Sequence, residues 1–284
     1  MSLDSSELRT VVRHGWIALG LATAAFAWLT IVGVNGAPDS YSYWAVDPST
    51  PYAIRYGTIG AFPYSPIAVL VASTFHVVSY PVFYALWSLL LLGVVLWLAP
   101  PVLWVPGVLL SLLEIQGGNV DILIAAAVVI GLRYAPMMSF LVLTKITPGL
   151  AILWFAVRRE WRPFALAVGT TATLVLVGVI VAPGLWRDWV AYLVSSAGIP
   201  LETPGPRLDV PLSARLVVAA GMILFAARTN RPWMLPLAVY LTLPVAWLMA
   251  VPAFVLGSLK LRAQGDDGAG RAAVASTAVD ASTG

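Results

Sequence analysis

The 284-residue chain has no cysteine, which excludes disulfides, thiolate metal sites and cysteine nucleophiles. Histidine is almost as scarce, and His14 and His76 are too far apart to found a histidine metal cluster. Charge is the third shortage. Only 10% of residues are charged, against about 25% in an ordinary soluble domain. A chain so poor in charge cannot cover a water-facing surface. With 60% apolar residues and a mean hydropathy of +0.89, it reads as an integral membrane protein. The 16 Lys and Arg are spread thinly between apolar runs rather than clustered on a basic face, so they read as topology marks and exclude a nucleic-acid footprint.

Apolar runs long enough to span a bilayer need about 20 residues. His14 to Pro38 is such a run, longer than a signal-peptide core, and reads as an uncleaved first helix behind Arg9 and Arg13. Tyr56 to Leu113 is far longer and is punctuated by Pro63, Pro66, Pro81, Pro100, Pro101 and Pro106, so it must hold several elements. Further runs are Asn119–Leu132, Ala135–Val157, Pro163–Trp186, Leu216–Ala227 and Pro232–Leu259. Cytoplasmic loops are enriched in Lys and Arg. The topology that best satisfies this bias lays Ser65–Ser79 on the outer leaflet and folds Ala135–Val157 and Trp233–Ser258 back as hairpins. It leaves only Arg55, Arg187, Arg207 and Arg215 outside. The expected fold is therefore all-α: about ten short membrane helices plus a membrane-surface helix in the first external loop. Both termini are cytoplasmic. Residues 1–262 form the membrane domain, and the Gly/Ala/Ser-rich stretch 263–284 reads as a disordered cytoplasmic tail.

Three polar regions then share the outer side: Asn35–Tyr64, Glu114–Asp121 and Gly184–Arg215. The Lys145-Ile146-Thr147-Pro148 tip points outward from within the bilayer. An intramembrane lysine is costly and marks a functional site with an anionic partner. Asp39, at the outer end of the first span, has a plainer reading as a carboxylate ending a helix at an aromatic interface. Glu114 and Asp121 have one as a polar turn, with Asp121 at the positive end of a helix. Arg55 is placed either to bind a surface phosphate or to remain a solvated loop charge. Together, one outer-face aspartate and one membrane-sunk lysine fit transfer of a group from a lipid phosphate. The aspartate takes a hydroxyl proton, and the lysine faces a leaving group that departs already ionised. No Gly-rich phosphate loop or cytoplasmic domain is present to hold a nucleotide, so the donor must come from the bilayer.

Four motifs carry a resemblance. They are Asp39-Ser40-Tyr41-Ser42-Tyr43-Trp44, Phe62-Pro63-Tyr64-Ser65-Pro66, Gly118-Asn119-Val120-Asp121-Ile122-Leu123, and Leu143-Thr144-Lys145-Ile146-Thr147-Pro148 closed by Arg158-Arg159-Glu160-Trp161-Arg162. In this order the chain resembles the polyprenol-phosphate-sugar-dependent glycosyltransferases of family 87, which have the C-type multispan fold. The resemblance implies a bacterial plasma-membrane enzyme acting on the extracytoplasmic face. Its donor is polyprenyl-phosphate mannose or arabinofuranose, mannose being favoured, and its acceptor a cell-envelope glycolipid or glycan. It implies an inverting displacement with Asp39 as base, Lys145 and Arg55 at the donor phosphate, and Tyr41, Tyr43, Tyr64, Asn119, Asp121 and Glu114 at the substrates. No cofactor and no metal are expected. The family tends to show Ser-Pro-x-Ser-Trp-x-His-His near the C-terminus, where this chain has Leu243-Pro244-Val245-Ala246-Trp247-Leu248-Met249-Ala250. Without those histidines the chain either uses another cation or is impaired, and it is also shorter than typical members. Two other functions fit the same residues: a lipid or lipid-linked-sugar flippase, and a catalytically lost relative serving as a membrane partner.

Overall fold

The computed structural model describes residues 39–58, 60–199 and 205–265. The first apolar run and most of the tail lie outside them. The described chain is all-helical, with one isolated antiparallel bridge and no strand. In chain order the α-helices are α1 (Asp39–Trp44), α2 (Pro66–Ala72), α3 (Tyr80–Leu98), α4 (Trp104–Leu110), α5 (Leu112–Gly117), α6 (Asp121–Gly131), α7 (Met138–Thr144), α8 (Leu153–Val157), α9 (Trp161–Val181), α10 (Pro183–Ser196), α11 (Leu212–Arg228), α12 (Met234–Thr242) and α13 (residues 251–265). The last of these runs past residue 262.

Among the described residues, two helices are long and apolar enough to cross a bilayer: α3, with 19 residues, and α9, with 21. At 1.5 Å per residue they reach about 28 and 32 Å, the thickness of a hydrocarbon core. Both are apolar all round and mostly unburied, with Leu86, Leu89 and Leu90 exposed on α3 and Leu176, Val177 and Ile180 on α9. That is how a helix facing lipid differs from one facing water. Pro66–Val77, α2 and its 3₁₀ extension, has only 12 residues and reaches about 18 Å, too short to cross.

The centre of the molecule is α6, with nine of its eleven residues buried. Around it pack α3, α7 and α12. Two chain segments fold back beside it. In the first, α7 ends at Lys145, whose extended backbone (φ −139°, ψ 117°) breaks the helix before a 3₁₀ turn over Thr147–Ile152. Gly149 lies against Val142, and a Cβ there would come within 2.6 Å of Val142 Cγ2. The glycine is thus what allows the two arms to close. In the second, Leu243 ends α12 with an extended ψ of 133°, and Tyr240 meets Phe254 with ring centroids 5.6 Å apart. Pro244, lacking an N–H, follows at the break.

The stretch Gly184–Arg215, read above as an outer polar loop, is mostly helical. It carries the 14-residue α10 and the start of α11. Trp186, Trp189 and Tyr192 recur at three-residue spacing in α10, a helical rather than a loop pattern. Arg215, counted above among the outside charges, is not an exposed side chain. It is buried and donates through Nε to Val210 O (2.9 Å), through Nη1 to Leu241 O (3.0 Å) and Leu243 O (2.7 Å), and through Nη2 to Pro244 O (3.0 Å). A guanidinium has enough donors to satisfy the open carbonyls at the end of α12 and at the break beyond it.

Candidate active site

The site is assembled around the turn between α5 and α6. Gly118 ends α5 in the left-handed conformation (φ 72°), and a Cβ there would stand 2.5 Å from Ser40 Cβ. Only glycine satisfies both the φ and the close approach. The contact seats the start of α1, and with it Asp39, directly on the Gly118–Asp121 turn. Aromatic side chains from α1 and α3 hold the turn in place. Tyr84 Oη donates to Gln116 O (2.9 Å) and Trp87 Nε1 to Gly118 O (2.7 Å), while Tyr43 Oη accepts from the Val120 N–H (3.3 Å). Within the turn, Asn119 Oδ1 accepts from the Asp121 N–H (3.2 Å).

The fold-back at Lys145 meets this turn from the other side. The Lys145 ammonium is ion-paired and hydrogen-bonded to Asp121 Oδ1, with Asp121 fully buried. Ser65 Oγ donates to Leu143 O and so ties the start of α2 to the hairpin arm that leads into Lys145. Tyr64 therefore sits beside the tip, its hydroxyl 3.0 Å from that of Tyr43 and its carbonyl accepting from Tyr52 Oη (3.1 Å). Trp189 Nε1 donates to Pro63 O (3.3 Å) and closes α10 over the same region.

These contacts enclose a cavity of about 750 Å³. Asp39, Tyr64, Asn119 and Lys145 line it, so four residues named from the sequence, from four separate segments, share one space. The structure divides the remaining ones differently from the direct-contact reading. Tyr43, Glu114 and Asp121 are buried and do not line the cavity; they form the layer behind it. The reason is steric: Tyr64 stands in front of Tyr43, and Lys145 covers Asp121. Tyr41 and Arg55 are exposed and stand outside the lining. Tyr41 packs edge-on against Tyr80 instead, centroids 5.0 Å apart. Both Glu114 carboxylate oxygens are buried without a hydrogen-bond partner among the described residues. Among the described residues no group of three or more His, Asp and Glu side chains is arranged to hold a metal ion.

Asp39 is exposed towards the cavity while protein crowds it on its other sides. The resulting loss of hydration raises its carboxyl from 3.8 to about 6, with Lys145 pulling it down and Asp121 pushing it up. A carboxyl titrating near 6 is ionised at neutral pH and yet basic enough to take a proton.

Several lining residues were not singled out from the sequence: Tyr56 and Trp189, and on the far wall Arg207, Pro244 and Trp247. The far wall did have a sequence signal, since Pro244 and Trp247 occupy the proline and tryptophan positions of the C-terminal element quoted above. Arg207 had none, because a loop arginine reads as an orientation mark. Its Nε lies 2.9 Å from Asp209 Oδ1.

An acid and a half-buried lysine on one cavity of an all-helical chain form a site suited to taking up a proton and holding an anion. The sequence model of glycosyltransferase family 87 matches residues 62–279, so the chain belongs to that family of glycosyltransferases. No curated protein and no solved structure matches it.

Proposed function

We propose that this glycosyltransferase takes its sugar, mannose in first place, from a polyprenyl-phosphate donor and passes it to an envelope glycolipid or glycan. The observation that carries the reading is that Asp39 and Lys145, 106 positions apart in the chain, line one cavity. Asp39 accepts the proton of the acceptor hydroxyl as that oxygen attacks the anomeric carbon. The bond from the anomeric carbon to the phosphate oxygen breaks, its electron pair leaves with the polyprenyl phosphate, and configuration inverts. Lys145 stabilises the charge on the departing phosphate, and its contact with Asp121 keeps the ammonium positioned before the donor arrives. Tyr64 and Asn119 contact substrate, while Tyr43, Asp121 and Glu114 support them from behind. Tyr41 and Arg55 serve at the outer rim, Arg55 meeting the donor phosphate as it approaches.

The reading includes a topology. Residues 1–262 form a membrane domain of about ten short helices, with Pro66–Val77 on the outer surface, the cavity extracytoplasmic and both termini in the cytoplasm. Residues 263–284 are a cytoplasmic tail. The charge asymmetry of the loops and the two fold-back segments support it.

The test uses purified protein in lipid nanodiscs with short-chain polyprenyl-phosphate mannose or arabinofuranose and mannosylated phosphatidylinositol as acceptor. The expected result is glycoside formation by wild type and a loss of at least a thousandfold in Asp39→Asn. Equal product from wild type and variant, or none from wild type with either donor, overturns the assignment.

A further inference from the structure

Trp247 has no part in the proton transfer or the phosphate chemistry, yet it is among the most firmly held residues of the cavity wall. It follows the break at Leu243–Pro244, where a chain with few regular backbone bonds would otherwise wander. Four independent contacts prevent that. Arg215 binds the carbonyls of Leu243 and Pro244. The Tyr240 hydroxyl lies 3.3 Å from Ala246 O and 3.2 Å from Trp247 O. Arg207 and Trp247 form an antiparallel bridge, in which the Leu208 N–H donates to Ala246 O (2.9 Å) and the Leu248 N–H to Pro206 O (3.0 Å). Finally, Gly205 lies against the indole so closely that a Cβ there would stand 2.7 Å from Cζ3.

The result is a tryptophan whose main chain is fixed before and after it and whose indole packs on Gly205, in the lining of the cavity that also holds Asp39, Lys145 and Asn119. A rigid aromatic surface among hydroxyl- and amide-bearing groups suits a ligand with an apolar C–H face and a hydroxylated rim. An aromatic face carries a negative quadrupole that attracts the polarised C–H groups of such a face. Fixing the ring in advance removes the ordering cost on binding. A sugar ring has this shape and chemistry; a bare lipid phosphate does not. We infer that Trp247 is the stacking platform for a sugar ring in this cavity and determines recognition of the sugar, as distinct from its phosphate or lipid. The inference rests on the proposed sugar transfer and adds to it the side chain that reads the ring.

The ring belongs either to the donor or to the acceptor, and two binding arms separate these sources. Wild type, Trp247→Leu, Trp247→Phe and Gly205→Ala are compared in nanodiscs. In one arm they are titrated with polyprenyl-phosphate mannose and with bare polyprenyl phosphate, in the other with mannosylated phosphatidylinositol and with phosphatidylinositol. Wild type is expected to bind the sugar-bearing lipid about tenfold more tightly than its bare counterpart in one arm. Trp247→Leu abolishes that ratio without weakening the bare lipid, Trp247→Phe retains most of it, and Gly205→Ala, which displaces the indole while keeping it, lowers it. A ratio that survives Trp247→Leu in both arms overturns the inference, as does an equal loss for sugar-bearing and bare lipids. If Trp247→Leu does not fold, Gly205→Ala decides, and an unchanged ratio there overturns the inference. A wild-type protein without preference in either arm also overturns it, while the transfer reading is judged separately by product formation.

Discussion

The Lys145 ammonium and the Asp121 carboxylate form an ion pair in the wall of the cavity, Asp121 with none of its side chain exposed and Lys145 with 14%. Each neutralises a charge the other could not leave buried alone. Removing one partner strands the other, which typically costs about 3–5 kcal/mol, whereas removing both costs far less. Lys145→Met and Asp121→Asn are each expected to lower the melting temperature sharply. The double variant should recover much of the loss, as read in a double-mutant thermal unfolding cycle in detergent.

Asp39 carries a pH prediction. Its carboxyl titrates at about 6 instead of 3.8, chiefly because protein displaces water around it. The base is the ionised form, so kcat/KM should rise tenfold per pH unit below about 6 and level off above it. The same raised value favours the neutral form in the folded state, so this group makes folding less favourable as pH rises from 3.8 towards 6 and adds no further change above that. A rate profile with no acid limb between pH 5 and 7 would remove Asp39 from the role of base.

Gly118 is where α1 meets the turn that precedes α6. Gly118→Ala introduces a Cβ 2.5 Å from that of Ser40 and strains a φ of 72°. It should lower kcat/KM at least tenfold by lifting Asp39 off the turn. Ser40→Gly in the same chain removes the clash but not the strain, and a partial recovery of rate is the expected outcome.

Arg215 supports the far wall through four backbone carbonyls. Arg215→Ala leaves them without these donors, at an expected cost of about 3 kcal/mol in stability. Arg215→Lys supplies a point charge with three donors in place of a planar fork, so it should fall between wild type and alanine in thermal unfolding.

The native chain has no cysteine, so a single introduced one reports topology without background. Glu160→Cys, beyond the first fold-back segment, should be labelled by an impermeant maleimide only after the membrane is opened. Labelling of intact cells at this position would overturn the hairpin topology.

Much of the site was legible because its residues break the rules of their surroundings. Lys145 lies in an apolar run, where a charge is expensive, and Asp39 ends such a run. Gly118-Asn119-Val120-Asp121 has the chemistry of a turn followed by a helix start. The two fold-back segments were legible from charge counting and from prolines. The helical character of Pro183–Ser196 was masked by its charged and small residues, and the burial of Arg215 by the habit of reading loop arginines as surface marks. Arg207 and Tyr56 had no local signal, because reaching a cavity wall depends on the rest of the chain being in place.

The sequence by itself marked the solvent and the elements: with one charged residue in ten and apolar runs as long as a bilayer is thick, the chain reads as helices that close their backbone bonds internally. Its scarce charges and prolines determined where those helices break. Only the tertiary structure decided which breaks meet. Gly118 against Ser40, Ser65 on Leu143 and Arg215 on Pro244 are contacts between distant segments that no periodicity encodes. They depend on the removal of single atoms, a missing Cβ above all, and on hydrogen-bond donors placed where a helix has just run out of partners.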